Sequence, residues 1–314
     1  MEKLLEIKDL CVHFDSRNGC VNAVCNVSMD IHRGQIIGLI GETGCGKSVL
    51  GQSILKLLPK NACITGKILF EGRDILKMSV REMRAVRGHK IAFICQNPAE
   101  ALNPMLKNGT QIMESVKINQ ALSKKECSKT SIDLLSVLGF SDPKAIMHQY
   151  PNELSGGMKQ RVLAAMGMSG YPSLLIADEP TKGLDAIKRG QVITTIRKFT
   201  ETTGCAVLII THDLKFASAI CDTISVMYAG EIAETGDTKT LFNDPKHPYL
   251  MALIKSQPCK GLNVLNGTVC SLIDLPSNCR FFDRCSYATN VCQDQHPDLL
   301  TLNKEHRVRC LKYV

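Results

Sequence analysis

The stretch Gly41-Glu42-Thr43-Gly44-Cys45-Gly46-Lys47-Ser48 fits the spacing G-x-x-x-x-G-K-[ST], an arrangement that wraps a chain around a polyphosphate. Glycines let backbone N–H groups close on a phosphate, Lys47 neutralises its oxygens, and the Ser48 hydroxyl ligates Mg2+. Val49 follows in the first turn of the helix whose N-terminus completes the anion site. A glycine-rich turn that merely reverses the chain would not need this lysine and hydroxyl in this order. A second constellation is Asp178-Glu179, two carboxylates ending the apolar run Leu174 to Ala177. Ligands gather at such strand ends in open α/β sheets. There Asp178 can hold Mg2+ while Glu179 orients or deprotonates an attacking water. Alone, the pair reads equally well as a solvated strand-end turn; the glycine loop favours the chemical reading.

Such groups need strands and helices to position them. Short apolar, β-branched runs at Ile36–Ile40, Ile91–Ile94, Leu174–Ala177, Val207–Ile210 and Ile224–Met227 predict buried parallel strands. Val192, Ile196 and Phe199 recur at helical spacing, as a helix packed on a sheet requires, and Val49 to Leu58 predicts a helix directly after the glycine loop. The class is α/β. Between about 97 and 168 the pattern turns polar and helical, with Pro98, Pro104, Pro143 and Pro151 as breaks, which predicts a helical lobe inserted into the strand series. A boundary near residue 245 separates a domain of residues 1–245 from a Cys-, Asn- and Pro-rich segment of residues 246–314.

The chain has 314 residues, 44% hydrophobic and 22% charged, enough to bury a sizeable core without disulfide staples. No apolar run reaches the length needed to span a bilayer, and the charged opening Met-Glu-Lys-Leu-Leu-Glu predicts a chain that stays in the cytosol. Its thiols should then be reduced, so 15 cysteines point to metal binding more than to disulfides. The net charge of +8 is too mild to argue for nucleic acid, and the absence of Trp counts against a base-stacking platform.

Leu154-Ser155-Gly156-Gly157-Met158-Lys159-Gln160-Arg161 precedes a helix of small residues and Met. Together with the loop at Gly41, this segment resembles the signature of the nucleotide-binding subunits of ATP-binding-cassette (ABC) transporters. The resemblance implies that Ser155, Gly156 and Gly157 meet the γ-phosphate of ATP held on a facing subunit, although Met158 stands where many relatives carry Gln. It further implies that Phe14 stacks on adenine and that Gln96 touches Mg2+ and the attacking water. Gly183-Leu184-Asp185 would cross the dimer interface, and His212 would reach the γ-phosphate. Two such chains would face each other head to tail with ATP between them, on the cytoplasmic membrane face, docked to two transmembrane permease subunits. A homologous second ATPase is the expected partner, and an extracytoplasmic solute-binding protein acts indirectly.

The segment His247-Pro248-Tyr249, with Leu275-Pro276-Ser277-Asn278-Cys279-Arg280-Phe281 and Val308-Arg309-Cys310, is similar to the C-terminal extension of ABC ATPases that import oligopeptides, dipeptides or nickel. Four thiols recur there as Cys279-x5-Cys285-x6-Cys292-x17-Cys310, in a stretch with little apolar content of its own. The missing C-x2–4-C knuckle favours a four-iron, four-sulfur cluster over zinc, with metal-free thiols as the third reading. Cys259 and Cys270 are second-choice ligands. Cys45 reads first as a tolerated small residue of the loop; the alternative is a thiol whose pKa falls at the helix N-terminus and which then reacts with thiol reagents. The expected function is ATP hydrolysis that powers import of di- or oligopeptides; nickel import and a soluble ABC ATPase are the alternatives.

Overall fold

The computed structural model describes residues 2–17, 19–257, 267–303 and 306–314. In chain order the strands are β1 (Lys3–Ser16), β2 (Gly19–His32), β3 (Ile36–Ile40), β4 (Ala62–Phe70), β5 (Arg73–Asp74), β6 (Ile91–Ile94), β7 (Leu174–Asp178), β8 (Ala206–Thr211), β9 (Thr223–Tyr228), β10 (Glu231–Asp237), β11 (Leu300–Asn303) and β12 (His306–Val308). The helices are α1 (Lys47–Ile54), α2 (Val80–Val86), α3 (Pro98–Ala101), α4 (Asn108–Gln120), α5 (Lys124–Val137), α6 (Pro143–His148), α7 (Gly156–Met168), α8 (Ala186–Thr203), α9 (Leu214–Ile220), α10 (Thr238–Asn243), α11 (Pro248–Lys255) and α12 (Asn290–Asp294). Among the described residues no helix is long and apolar enough to cross a membrane.

The chain divides into two compact units, each built from separate stretches. The first holds residues 1–4, 31–36 and 77–210. Its strands run parallel in the order β8-β7-β6, and the Gln35 carbonyl at the entry to β3 accepts from Val207 N–H of β8 at 2.8 Å. Every residue of β7 and β8 is buried, which explains why these strands read as unbroken apolar runs instead of alternating ones. Between β6 and β7 the chain is helical. Ile112 and Val116 of α4, Leu134 and Leu135 of α5, and Val162 and Ala165 of α7 are buried. On α8, Ile196 and Phe199 are buried, as their spacing predicts.

The second unit holds residues 5–30, 37–76 and 211–314. There β3 runs parallel to β9, and β10, β12 and β11 extend the sheet antiparallel beyond it. A further antiparallel sheet has the order β2-β1-β4-β5. Its strands are missing from the sequence expectations because bulges interrupt their alternation: Asp9 and Asn26 adopt φ values of 48° and 49°, and the β1–β4 register shifts between Lys8 and Cys11. The helix expected over Val49–Leu58 is also corrected. It starts two residues earlier, at Lys47, and stops at Ile54, because Lys56 turns left-handed at φ 50°.

Glu234 of β10 organises the C-terminal segments. Its fully buried carboxylate accepts from Lys246 N–H at 2.9 Å and His247 N–H at 2.7 Å, and pairs with the His306 ring at 2.7 Å. Next to it, His247 caps α11 by accepting from Tyr249 N–H at 3.0 Å. A neutral ring is needed for that, and burial pushes the His247 pKa down to about 3.

Candidate nucleotide site and cysteine centre

In the second unit, β3 delivers the chain into the glycine loop and α1 leaves it. Gly46, the residue before α1, has φ 108°, and a side chain there would run into the Ala23 carbonyl. Gly41 is equally closed to a side chain, by the Met227 carbonyl. The loop therefore lies against β2 and β9 with only backbone at its closest approaches. Lys47 is buried, and its ammonium donates to the Gly41 and Glu42 carbonyls at 2.8 Å each. Thr43 and Gly44 are exposed at the rim, while Ser48 and Val49 are half-buried.

Cys45 lacks the surroundings that the alternative reading, a reactive thiol, requires. It is 1% exposed, and desolvation raises its pKa despite the ammonium of Lys47 3.8 Å away. The loop folds the sulfur inward, so burial outweighs the helix N-terminus.

Glu42 is held at three points. Its N–H donates to the Tyr249 hydroxyl at 2.8 Å, its carbonyl takes the Lys47 ammonium, and its carboxylate receives Arg284 in a two-pronged pair at 2.7 and 2.8 Å. The Arg284 side chain is 4% exposed and lies near the rings of Tyr228 and Phe281. Its bond to Glu42 is the leading reason its pKa is raised further. The sequence places Arg284 and Tyr249 within the C-terminal extension, beside Cys285 and His247, but gives neither a role at the phosphate loop. A cavity of about 270 Å3 opens on this loop, lined by Gly41, Glu42, Thr43, His212, Leu214 and Leu253. The structure thus brings His212, which is exposed, to the glycine loop. Phe14 is half-buried on β1 and does not line this cavity.

The first unit carries the other expected residues. Asp178 ends β7 buried, and Glu179 follows it at φ 50°, an uncommon conformation for a non-glycine residue, with its N–H bonded to the Ile210 carbonyl at 2.8 Å. Gln96 is exposed just beyond β6. Ser155 is exposed and caps α7, accepting from Met158 N–H at 3.4 Å, so the helix N-terminus opens beside Gly156 and Gly157. A side chain on Gly157 would press on Leu184. Asp185 caps α8, accepting from Lys188 N–H at 2.9 Å, and this bond lowers its pKa.

Cys279, Cys285, Cys292 and Cys310 all line one cavity of about 190 Å3 in the second unit, together with His247, Phe281 and Tyr287. Cys279 N–H donates to the Cys292 carbonyl at 3.3 Å. Burial, followed by the neighbouring thiols, pushes the Cys279 pKa up to about 11, and burial also raises those of Cys285 and Cys310. Cys270 is half-buried outside this cavity, and Cys259 lies outside the described residues.

A phosphate loop between strand and helix, carboxylates ending a parallel strand, and a serine-capped helix after Leu154 define an ATP-binding cassette. Residues 24–182 match the ABC transporter family, and residues 233–292 match the oligopeptide/dipeptide transporter C-terminal region. The dipeptide transport ATP-binding protein DppD of Bacillus subtilis is 40% identical over 99% of this chain and 95% of its own length. The probable D,D-dipeptide transport ATP-binding protein DdpD of Escherichia coli is 40% identical over 98% of this chain and 96% of its own. Among solved structures, cbiO1 from Clostridium perfringens, part of the ABC transporter complex cbiONQ, superposes with a TM-score of 0.66 at 26% identity, covering 78% of this chain and 92% of that one. The ATP-binding cassette MJ0796, solved as a dimer with ADP and Pi, shares the fold at a TM-score of 0.68, with 24% identity over 75% of this chain and 99% of that one. The chain belongs to the ABC transporter ATPases, in the branch that carries the oligopeptide/dipeptide-type C-terminal region.

Proposed function

We propose that the protein hydrolyses ATP to drive uptake of di- or oligopeptides through two membrane-spanning permease subunits, as a peripheral subunit on the cytoplasmic face. The observation that carries this reading is the joining of the phosphate loop to the peptide-transporter extension, through Arg284 and Tyr249, in one compact unit. The peptide-transport names of its relatives support the substrate class. Residues 1–245 act as the cassette, with the helical lobe over about 97–168, and residues 246–314 act as the extension. The transport partner of the ATPase is a homologous second ATPase subunit.

Each residue has a role in that reading. Phe14 stacks on the base. Gly41 through Ser48, followed by Val49, receive the phosphates, and Lys47 exchanges its two carbonyl partners for phosphate oxygens. Ser48, Gln96 and Asp178 would hold Mg2+, which neutralises charge on the β- and γ-phosphates. Glu179 takes a proton from the attacking water, and its fixed backbone aims the carboxylate. His212 donates to the γ-phosphate from the rim of the loop cavity. Ser155, Gly156 and Gly157 complete the site of the facing subunit with an open helix N-terminus, and Asp185 borders that interface.

The cysteine centre fits a four-iron, four-sulfur cluster. The four thiols share one roomy cavity, yet among the described residues the single trio of ligand atoms within 4.8 Å of one another is His13, Asp15 and Cys20. One zinc needs its sulfurs about 3.8 Å apart. A cluster binds each thiolate to a different iron and suits the wider spread. When bound, it supplies a covalent tie among four chain segments. Iron and sulfide in stoichiometric amounts in anaerobically purified protein test this; colourless protein carrying one zinc at these cysteines refutes it.

Transport is tested in proteoliposomes that hold this chain with a pair of peptide-importer permease subunits and their solute-binding protein. Labelled dipeptide should enter only with ATP, and Glu179→Gln should stop entry while retaining bound ATP. Nickel entry without peptide entry would overturn the peptide assignment.

A further inference from the structure

We propose that His13, Asp15 and Cys20 form a separate site for a divalent ion of the zinc class, clipping together the adjoining ends of β1 and β2. The imidazole nitrogen, carboxylate oxygen and thiol sulfur of these residues all lie within 4.8 Å of one another. Metal–ligand bonds of about 2.0–2.3 Å place the donors of a tetrahedral site roughly 3.3–3.8 Å apart, so small side-chain rotations close the trio on one ion. Its backbone is already in place. His13 and Asp15 stand two apart on β1 and share a face, while Cys20 is the second residue of the neighbouring β2.

The donor set selects the ion. Nitrogen, oxygen and sulfur together suit zinc, whereas Mg2+ and Ca2+ require oxygen throughout. His13 and Cys20 are half-buried and Asp15 is exposed, leaving the site reachable from solvent while its softer donors are held in the sheet. A fourth donor stands one strand away. Cys63 of β4 is directly opposite His13 in the β1–β4 register, on the same face, and is exposed. The four-cysteine centre contributes none of these residues, so each site can be loaded or emptied without the other.

The full-length protein, purified anaerobically with its cysteine centre intact, provides the test. Zn2+ is added, and alkylation of Cys20 by iodoacetamide is followed by peptide mass spectrometry, which reads this residue alone. Coordination removes the free thiolate, so Zn2+ should slow labelling of Cys20 by at least about tenfold, reversibly with a chelator. The protection should vanish in His13→Ala and persist in Cys292→Ser, and Mg2+ should give none. Co2+ in place of Zn2+ should produce the visible bands of a tetrahedral thiolate site, lost in Cys20→Ser. Labelling of Cys20 that ignores Zn2+, protection that survives His13→Ala with Asp15→Ala, or equal protection by Mg2+ would each overturn the proposal.

Discussion

Replacing Arg284 by alanine should weaken ATP binding about tenfold without slowing hydrolysis at saturating ATP. Arg284 is 4% exposed and Glu42 25% exposed, joined by two charge-assisted bonds of 2.7 and 2.8 Å. Breaking a fully buried pair costs roughly 3–5 kcal/mol, and a surface pair contributes at most about 1. Water can reach the quarter-exposed carboxylate once Arg284 is gone, so about 2 kcal/mol of stability should be lost. The nucleotide then meets a loop whose second residue, once Lys47 turns to the phosphates, keeps only the Tyr249 hydroxyl as an anchor. Ordering one residue's backbone costs on the order of 1–2 kcal/mol, which corresponds to about a factor of ten in Kd. Equilibrium binding of a fluorescent ATP analogue and urea unfolding read the two quantities separately. Arg284→Lys should fall between wild type and alanine, because an ammonium cannot span both carboxylate oxygens. Glu42→Ala combined with Arg284→Ala should be no worse than Arg284→Ala alone. Wild-type ATP affinity in a destabilised Arg284→Ala would refute the link to the phosphate loop, and simple additivity of the double variant would refute the pairing.

Three other outcomes are expected. Glu179→Gln should lower kcat by about a hundredfold or more while leaving the Kd for ATP unchanged, measured by phosphate release and equilibrium binding. Stability should be lost in acid through His247: with a folded pKa of about 3 against 6.5 for the unfolded residue, its contribution is complete above pH 6.5. As pH falls below that, the unfolded chain gains a proton the folded chain refuses, at about 1.4 kcal/mol per pH unit, and His247→Gln should flatten this slope in urea titrations between pH 6.5 and 4.5. Cys45, buried with a raised pKa, should label with iodoacetamide at least about ten times more slowly than exposed Cys63 in the folded protein.

The elements most legible in the sequence were those whose surroundings demand one residue type throughout. The runs at Ile36, Ile91, Leu174 and Val207 are strands because parallel strands are enclosed on both faces and stay apolar along their length. The phosphate loop was legible because backbone packs so closely at Gly41 and Gly46 that no side chain fits. Strands β1 and β2 were hidden: left-handed residues at Asp9 and Asn26 break the alternation on which recognition depends. The reactive-thiol alternative for Cys45 fails because its position shows the helix that follows, while the burial that governs its chemistry comes from packing. The Arg284–Glu42 pair joins residues 242 positions apart, and no local pattern encodes a contact of that separation.

Glu234 has a consequence for how the molecule is made. Its carboxylate awaits partners from Lys246, His247 and His306, and β10 awaits β12 along its open edge. During synthesis β10 leaves the ribosome well before β12, so for an interval the nascent chain carries a buried-type acid without its imidazole and a strand edge without its neighbour. Arrival of β12 closes both at once, since the strand that covers the edge also carries the imidazole.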